Sequence, residues 1–155
     1  MIEVKTETWA AIDAEIEEVA AFHWQDLALD KLLFTRDLDH AQYRLLDEMG
    51  RMHVVTVRDD GKLVGYAVWF VMPHHLHYMS SGPVALADMY YLMKPYRKGG
   101  IGVRMFQESE RGLKERGVIR AHASSKVHED NTRMFELMGW KHTDNTVSKL
   151  LTEAK

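Results

Sequence analysis

The stretch Tyr90-Tyr91-Leu92-Met93-Lys94-Pro95-Tyr96-Arg97-Lys98-Gly99-Gly100-Ile101-Gly102 constrains the fold of this chain more than any other. An aromatic and apolar run suited to a strand is broken by proline and passes through a basic, glycine-rich turn. It then enters Val103-Arg104-Met105-Phe106-Gln107-Glu108, which has the spacing of an amphipathic helix. No side chain at Gly99, Gly100 or Gly102 blocks close approach of a ligand. Successive N–H groups can point outward there, and the helix dipole adds partial positive charge. This is the physics of a pyrophosphate cradle, so the chain is predicted to bind a phosphorylated cofactor.

The flanking sequence supplies a sheet and helices. Ile2–Glu7 alternates weakly, as a first strand would. Ala10–Leu29 places Ile12, Ile16, Val19 and Leu27 at near-helical spacing. Asp37 or Asp39 is positioned to cap a second helix through Tyr43, Leu46 and Met49, ended by Gly50. His53–Arg58 and Leu63–Met72 read as a hairpin turned at Asp59-Asp60-Gly61-Lys62. Pro73–Pro83 is a connection, and Val84–Met93 is the strand that feeds the turn. The helix from Gly100 to about Arg116 stops at Gly117, and Val118–Ala123 is a short strand. Asp130 or Asn131 caps a last helix that ends at Gly139, and Trp140–Leu151 reads as one or two terminal strands. This order predicts a mixed α/β (α+β) fold: a single central, mostly antiparallel sheet with one βαβ crossover. With 155 residues, the chain is expected to form one domain over residues 1–155, with Trp9, Trp24, Trp69 and Trp140 in its core.

Composition excludes several chemistries. There is no cysteine, so disulfides, thiolate nucleophiles and cysteine-based zinc sites are ruled out, and a cytoplasmic location is expected. No apolar run reaches the roughly 18 residues of a membrane span, and Met1-Ile2-Glu3-Val4-Lys5 does not open like a signal peptide. Charge is asymmetric: residues 1–50 hold 12 acidic and 4 basic side chains, net −8, whereas residues 51–155 hold 11 and 16, net +5. The positive half suits an anionic ligand, but its basic density is too low for a nucleic-acid partner. His74, His75, His77 and Tyr78 have no carboxylate or cysteine at a metal-ligand spacing, so no metal is expected.

Three phosphate-binding turns compete. A Walker P-loop needs Lys-Ser or Lys-Thr after its second glycine, and Gly102 is followed by Val103-Arg104. A dinucleotide fingerprint needs a third glycine where Met105 stands. The acyl-CoA loop, Arg/Gln-x-x-Gly-x-Gly/Ala, is matched by Arg97-Lys98-Gly99-Gly100-Ile101-Gly102. A second stretch, Asp130-Asn131-Thr132-Arg133-Met134-Phe135-Glu136-Leu137-Met138-Gly139-Trp140, follows about 30 residues later across one βαβ crossover. On these two motifs the chain resembles the GNAT superfamily of acyl-CoA-dependent N-acetyltransferases from His53 to Leu151, and most of all its small phage and bacterial members.

The resemblance implies a GNAT-like sheet in which Val84–Met93 splays from Val118–Ala123. A pantetheine arm would pair with the strand edge at Leu92 and Met93. It implies that the N–H groups of Lys98, Gly99, Gly100, Ile101 and Gly102 hold the pyrophosphate, with charge added by Arg97 and Lys98. An N–H near Met93 would polarise the thioester carbonyl, and Asn131 and Phe135 would lie beside the pantetheine and acetyl end. The co-substrate would be acetyl-CoA and the acceptor a primary amine on a small molecule or peptide. A homodimer is compatible with such a fold. Transfer would be direct, in a ternary complex, and the lack of cysteine excludes a thiol acyl-enzyme route. Three positions depart from the family pattern. Only Tyr96 separates Pro95 from Arg97 where two residues are usual, His128 stands in a slot commonly held by asparagine, and Phe135 occupies the place of the general-acid tyrosine.

An acceptor amine with a pKa of about 10.4 must lose a proton before it attacks. Asp88 stands on the strand leading to the loop, where the family often places a glutamate base. Tyr90, which alternates with Tyr91 across the strand, and His77, in the preceding connection, are the other candidates. A phenyl ring at position 135 cannot protonate a thiolate. The competing expectation is therefore a non-catalytic CoA-binding or protein-interaction module.

Overall fold

Val, Ala, Tyr and Trp alternate through the middle of the chain, and they form the middle of the sheet. In the computed structural model, which describes residues 1–152, β2 (Met52–Asp59) and β3 (Lys62–Met72) make an antiparallel hairpin turned at Asp60-Gly61. β1 (Ile2–Glu7) pairs with β2 and β4 (Val84–Leu92) with β3, both antiparallel. β5 (Arg120–His122) joins β4 in parallel, giving the order β1-β2-β3-β4-β5. The predicted mixed sheet is thus present, and its crossover is α4 (Ile101–Glu115).

Both faces of the sheet are covered, so β2 is buried along almost its whole length. Val55, Val57, Ala67 and Trp69 pack with α4 and α5 (Thr132–Leu137). Val54, Tyr66 and Val68 pack with α1 (Trp9–Ile12), α2 (Ile16–Leu27) and α3 (His40–Glu48). α4 lies close to the sheet because Gly112 rests on the His53 ring, where a Cβ would come within 2.3 Å of Cε1. Burial there lowers the His53 pKa to about 4. Among the described residues no helix is long and apolar enough to cross a membrane.

Three expectations need correction. The run Ala10–Leu29 is two helices, because Asp13 accepts from Trp9 Nε1 and also engages His40 and Arg44, and the chain turns there before α2. Terminal strands do not form over Trp140–Leu151. The Trp140 N–H closes the end of α5 on the Phe135 carbonyl, and no later described residue makes a backbone–backbone hydrogen bond. Val147 and Leu151 are each 92% exposed, so no sheet edge covers this segment, and β propensity alone does not make a strand. Finally, Trp9 and Trp69 are fully buried, but Trp24 and Trp140 are only partly so.

Candidate active site

β4 changes its surroundings half-way along. Val84, Ala85 and Leu86 pair with Arg120, Ala121 and His122, and beyond them, among the described residues, β4 has no strand on that side. The register with β3 also slips. Met89 opposes Val68 and Ala87 opposes Trp69, which leaves Asp88 as the extra residue of a bulge. The parting of β4 from β5 borders a cavity of about 300 Å³. Its lining brings together Tyr90, Leu92, Arg97, Lys98, Gly100, Ile101, Gly102 and Asn131 from the expected set, and adds Glu129 and Met134.

The N-terminus of α4 stands at this cavity. Gly99 and Gly100 adopt φ of 62° and 73°, a left-handed conformation that favours glycine. A Cβ added at either would meet nothing within 4 Å, so the space beside them is open to a ligand. The Lys98 and Ile101 N–H groups donate to the Tyr96 and Lys98 carbonyls and are not free as expected. Among the described residues, the N–H groups of Gly99, Gly100, Gly102 and Val103 have no partner. The first turn of a helix has no carbonyls behind it, which puts Val103 into the set. Unpaired main-chain donors, a helix dipole and no obstructing Cβ together fit a diphosphate group.

Arg97 is already engaged. Its Nε donates to the Leu92 carbonyl at 2.7 Å, Nη1 lies 2.8 Å from Glu129, and Nη2 lies 3.4 Å from Asp26. The guanidinium also sits 5.0 Å from the Tyr91 ring centroid, and Lys94 pairs with Asp26 at 2.8 Å. Arg97 therefore ties α2, β4 and the segment before α5 around the cavity, and two carboxylates share its charge. Lys98 forms no ion pair among the described residues.

Tyr90 and Tyr91 both border the cavity, from opposite faces of the sheet. Tyr90 lies edge-on to Phe106 and Phe135, with centroids 5.1 and 6.0 Å away. Its hydroxyl donates to the Ser124 carbonyl at 2.6 Å, reaching across to the chain beyond β5. Burial raises the Tyr90 pKa, while the Asn131 and Ser125 side chains draw it back. Tyr91 stacks on His23 at 5.0 Å and donates to Asp26 at 2.6 Å, and burial with that bond pushes its pKa up to about 12.

Phe135 does not line the cavity as expected. It is buried against Phe106 and Trp140 at 4.7 and 5.2 Å, and Met134 takes the lining position. A ring with no hydroxyl to solvate gains from full burial. Asn131 closes a local turn: its amide donates to the Glu129 carbonyl at 3.2 Å and its N–H to Ser125 Oγ at 2.6 Å. Met93 is also spent, because its N–H donates to the Val64 carbonyl at 3.0 Å and is not free to polarise a thioester.

Asp88 accepts from the Tyr43 hydroxyl at 2.5 Å. Solvent reaches Asp88, yet the protein around it displaces enough water to raise its pKa, against which the Tyr43 bond acts. The sequence places Tyr43 on a helix but cannot pair it with Asp88, since no pattern couples residues 45 positions apart on a helix and a bulge. His77 stays within its own connection, with its N–H on His75 Nδ1 at 3.1 Å and its ring beside His75 and Tyr78, and it does not line the cavity. Among the described residues no group of three or more His, Asp or Glu is placed to hold a metal ion.

A family model described as the acetyltransferase (GNAT) family matches residues 10–140. The chain belongs to the GNAT family. As a GNAT protein it is an N-acetyltransferase whose co-substrate is acetyl-CoA. Its fold is shared by a ribosomal-protein-alanine N-acetyltransferase from Brucella melitensis biovar Abortus 2308, at 15% identity and TM-score 0.69, covering 99% of this chain and 100% of that one. An aminoglycoside acetyltransferase from an uncultured soil metagenomic sample gives 11% identity and TM-score 0.76, covering 98% and 99%. A predicted acetyltransferase from Clostridium acetobutylicum, solved with acetyl-CoA, gives 12% identity and TM-score 0.72, covering 97% of each chain. At such identities the likeness is one of fold. No curated protein matches the chain at a significant level.

Proposed function

We propose that this GNAT enzyme transfers an acetyl group directly to the primary amine of a cationic small molecule or peptide, in a ternary complex, with Asp88 as general base. The observation that carries this reading is the bulge. It leaves a solvent-accessible carboxylate with a raised pKa on the strand whose end leads into the open helix N-terminus. The N–H groups of Gly99, Gly100, Gly102 and Val103 would hold the diphosphate, with Lys98 adding charge. Bound there, acetyl-CoA supplies an acyl group already activated as a thioester. Asp88 takes the proton of the acceptor on Oδ1, the oxygen that Tyr43 leaves free. Tyr90 holds a proton at its hydroxyl beside the cavity, where Phe135 has none to give.

Part of the acidic surplus of the front half is neutralised locally. Asp13, Glu15, Glu17 and Asp26 are bound by His40, Arg44, Arg58, Arg36, Lys94 and Arg97. Asp88 forms no ion pair among the described residues, which suits it to meet a cationic amine. The names of the relatives span protein alanine and aminoglycosides, both amine acceptors, and the amine is the chemistry they share.

The test follows thiol release from acetyl-CoA over a panel of polyamines, aminoglycosides and alanine-terminated peptides. Turnover that falls by about 10²–10⁴ in Asp88→Asn supports the reading. Equal rates in wild type and Asp88→Asn would remove Asp88 as the base. The outcome that would overturn the reading is a non-catalytic CoA-binding module. Acetyl-CoA binding with no thiol release on any amine would establish it.

A further inference from the structure

We infer that Tyr43 is a positioning residue for this reaction: from α3 it fixes one oxygen of Asp88 and leaves the other to take the acceptor's proton. The inference rests on the reading of Asp88 as the base. A bulge residue has no cross-strand partner to hold its side chain, and the Tyr43 hydroxyl is the sole hydrogen-bond partner of the Asp88 carboxylate among the described residues. One bond at 2.5 Å is therefore its restraint.

That bond is worth only as much as the placement of its donor, and the donor is firmly held. The Tyr43 ring stacks on Trp9 at 4.2 Å and 16°, and on Phe70 of β3 at 6.2 Å and 22°. Trp9 is fully buried, and its N–H donates to Asp47 of α3 at 2.8 Å, which locks α1 to α3. At the other end of α3, His40 lies between Asp13 at 2.5 Å and Glu17 at 2.7 Å, and Arg44 reaches Asp13 at 2.6 Å. Packing and ion pairs that touch neither ligand site thus set where one O–H points.

The same bond sets the basicity of Asp88. Partial desolvation by the surrounding protein disfavours the carboxylate and a donated hydrogen bond favours it, so removing the donor leaves the desolvation unopposed. Tyr43 keeps its own proton, because burial and the Asp88 charge both raise its pKa. The other titratable groups around the pair are Asp39, which caps α3, His40 in the first turn of α3, Tyr66 on β3 and His23 on α2, whose Nδ1 lies 2.7 Å from the Tyr66 hydroxyl. Burial holds the His23 pKa near 4 and raises that of Tyr66, while Glu17 and Asp13 raise that of His40, so the Asp88→Asn control is what separates the Asp88 midpoint from theirs.

The test is Tyr43→Phe, which keeps the stack and removes only the hydroxyl. Carboxyl-carbon NMR titration of the ligand-free protein, with Asp88→Asn to assign the resonance, reads the bond without any turnover. The Asp88 midpoint is expected to rise by about 0.5–1 pH unit, the equivalent of one net hydrogen bond. The acid limb of kcat/KM is expected to move up with it, while the KM for acetyl-CoA stays within about threefold. A purely structural role would lower the melting temperature and leave both midpoints in place, and that result overturns the inference. Tyr43→Leu, which also lacks the hydroxyl, must give the same titration shift. If Asp88→Asn is inactive but Tyr43→Phe moves neither midpoint, only the role of Tyr43 falls. If the NMR midpoint moves but Asp88→Asn keeps full activity, the base reading falls and the role of Tyr43 falls with it.

Discussion

The turn between β4 and α4 and the bulge at Asp88 lie on one strand and its exit, yet they are built in opposite ways. The turn works with main chain. Its donors at Gly99, Gly100, Gly102 and Val103 come from one short stretch of chain and one helix start. The bulge works with side chains drawn from β4, α3 and α1, held by stacking and by one hydrogen bond. Short of proline, substitution cannot delete a main-chain donor, only obstruct it. A side-chain network can be dismantled one group at a time. Damage to the turn should therefore be all or none, and damage to the bulge graded.

The most complete loss expected is that of Gly102→Glu, which removes co-substrate binding and with it every later step. Gly102 has ordinary φ, and a Cβ there meets only Met134 Sδ at 3.7 Å, a normal contact. An acid in the first turn also suits the helix dipole, so the fold is kept while a carboxylate enters the anion site. Calorimetry should show acetyl-CoA affinity reduced by more than about 100-fold, with the melting temperature within a few degrees of wild type. Unchanged affinity would take the diphosphate away from this turn and end the contrast.

Asp88→Asn comes next, and its sharper signature is pH dependence. The carboxylate must be ionised to accept a proton, and burial raises its pKa. Activity should therefore fall as pH drops through a value above the ordinary 3.9 or so, and this limb should vanish in the amide variant. A smaller loss is expected for Tyr90→Phe. It should lower kcat by about tenfold and leave the KM for acetyl-CoA within about threefold, since it removes a proton and little packing. An unchanged kcat would assign proton return to solvent.

The smallest effect is on stability and concerns the clamp behind Tyr43. Glu17 and then Asp13 raise the His40 pKa, so its contribution is full below the unfolded value of about 6.5 and is lost as pH rises through the folded one. Asp13 is lowered because its bonds to His40 and Arg44 outweigh burial, and Glu17 by its bonds to His40 and Arg36. Their share is lost as pH falls through their folded values. Melting temperature against pH should show His40→Gln lower than wild type by about 2–4 °C near pH 6, with the gap closing as pH rises through the folded value. A gap that widens with pH would reverse the assigned direction.

Legibility in the sequence follows the same division. The β2–β3 hairpin, α4 and its stop at Gly117 were readable because each depends on periodicity and turn residues within a few positions. The break at Asp13 was not, because its cause lies at His40 and Arg44. Trp140–Leu151 carried β-forming residues but met no edge to pair with. The helix of Asn131 and Phe135 was found, but which side chain faces the cavity was decided by Phe106 and Trp140, and Met134 lines it instead. Arg97 stood where the loop pattern needs it, and Asp26 and Glu129 then claimed its charge.

The amino-acid sequence by itself determined the order strand, glycine turn, helix, the positive-φ pair Gly99 and Gly100, and the absence of any thiol chemistry. These follow from local sterics and from side chains that are absent, and both act at fixed short range along the chain. Tertiary structure decided which N–H groups stay unpaired, where the charge of Arg97 goes, and which tyrosine meets Asp88. Those outcomes are contests among partners far apart in sequence, and only the packed sheet and helices bring the competitors within hydrogen-bonding distance.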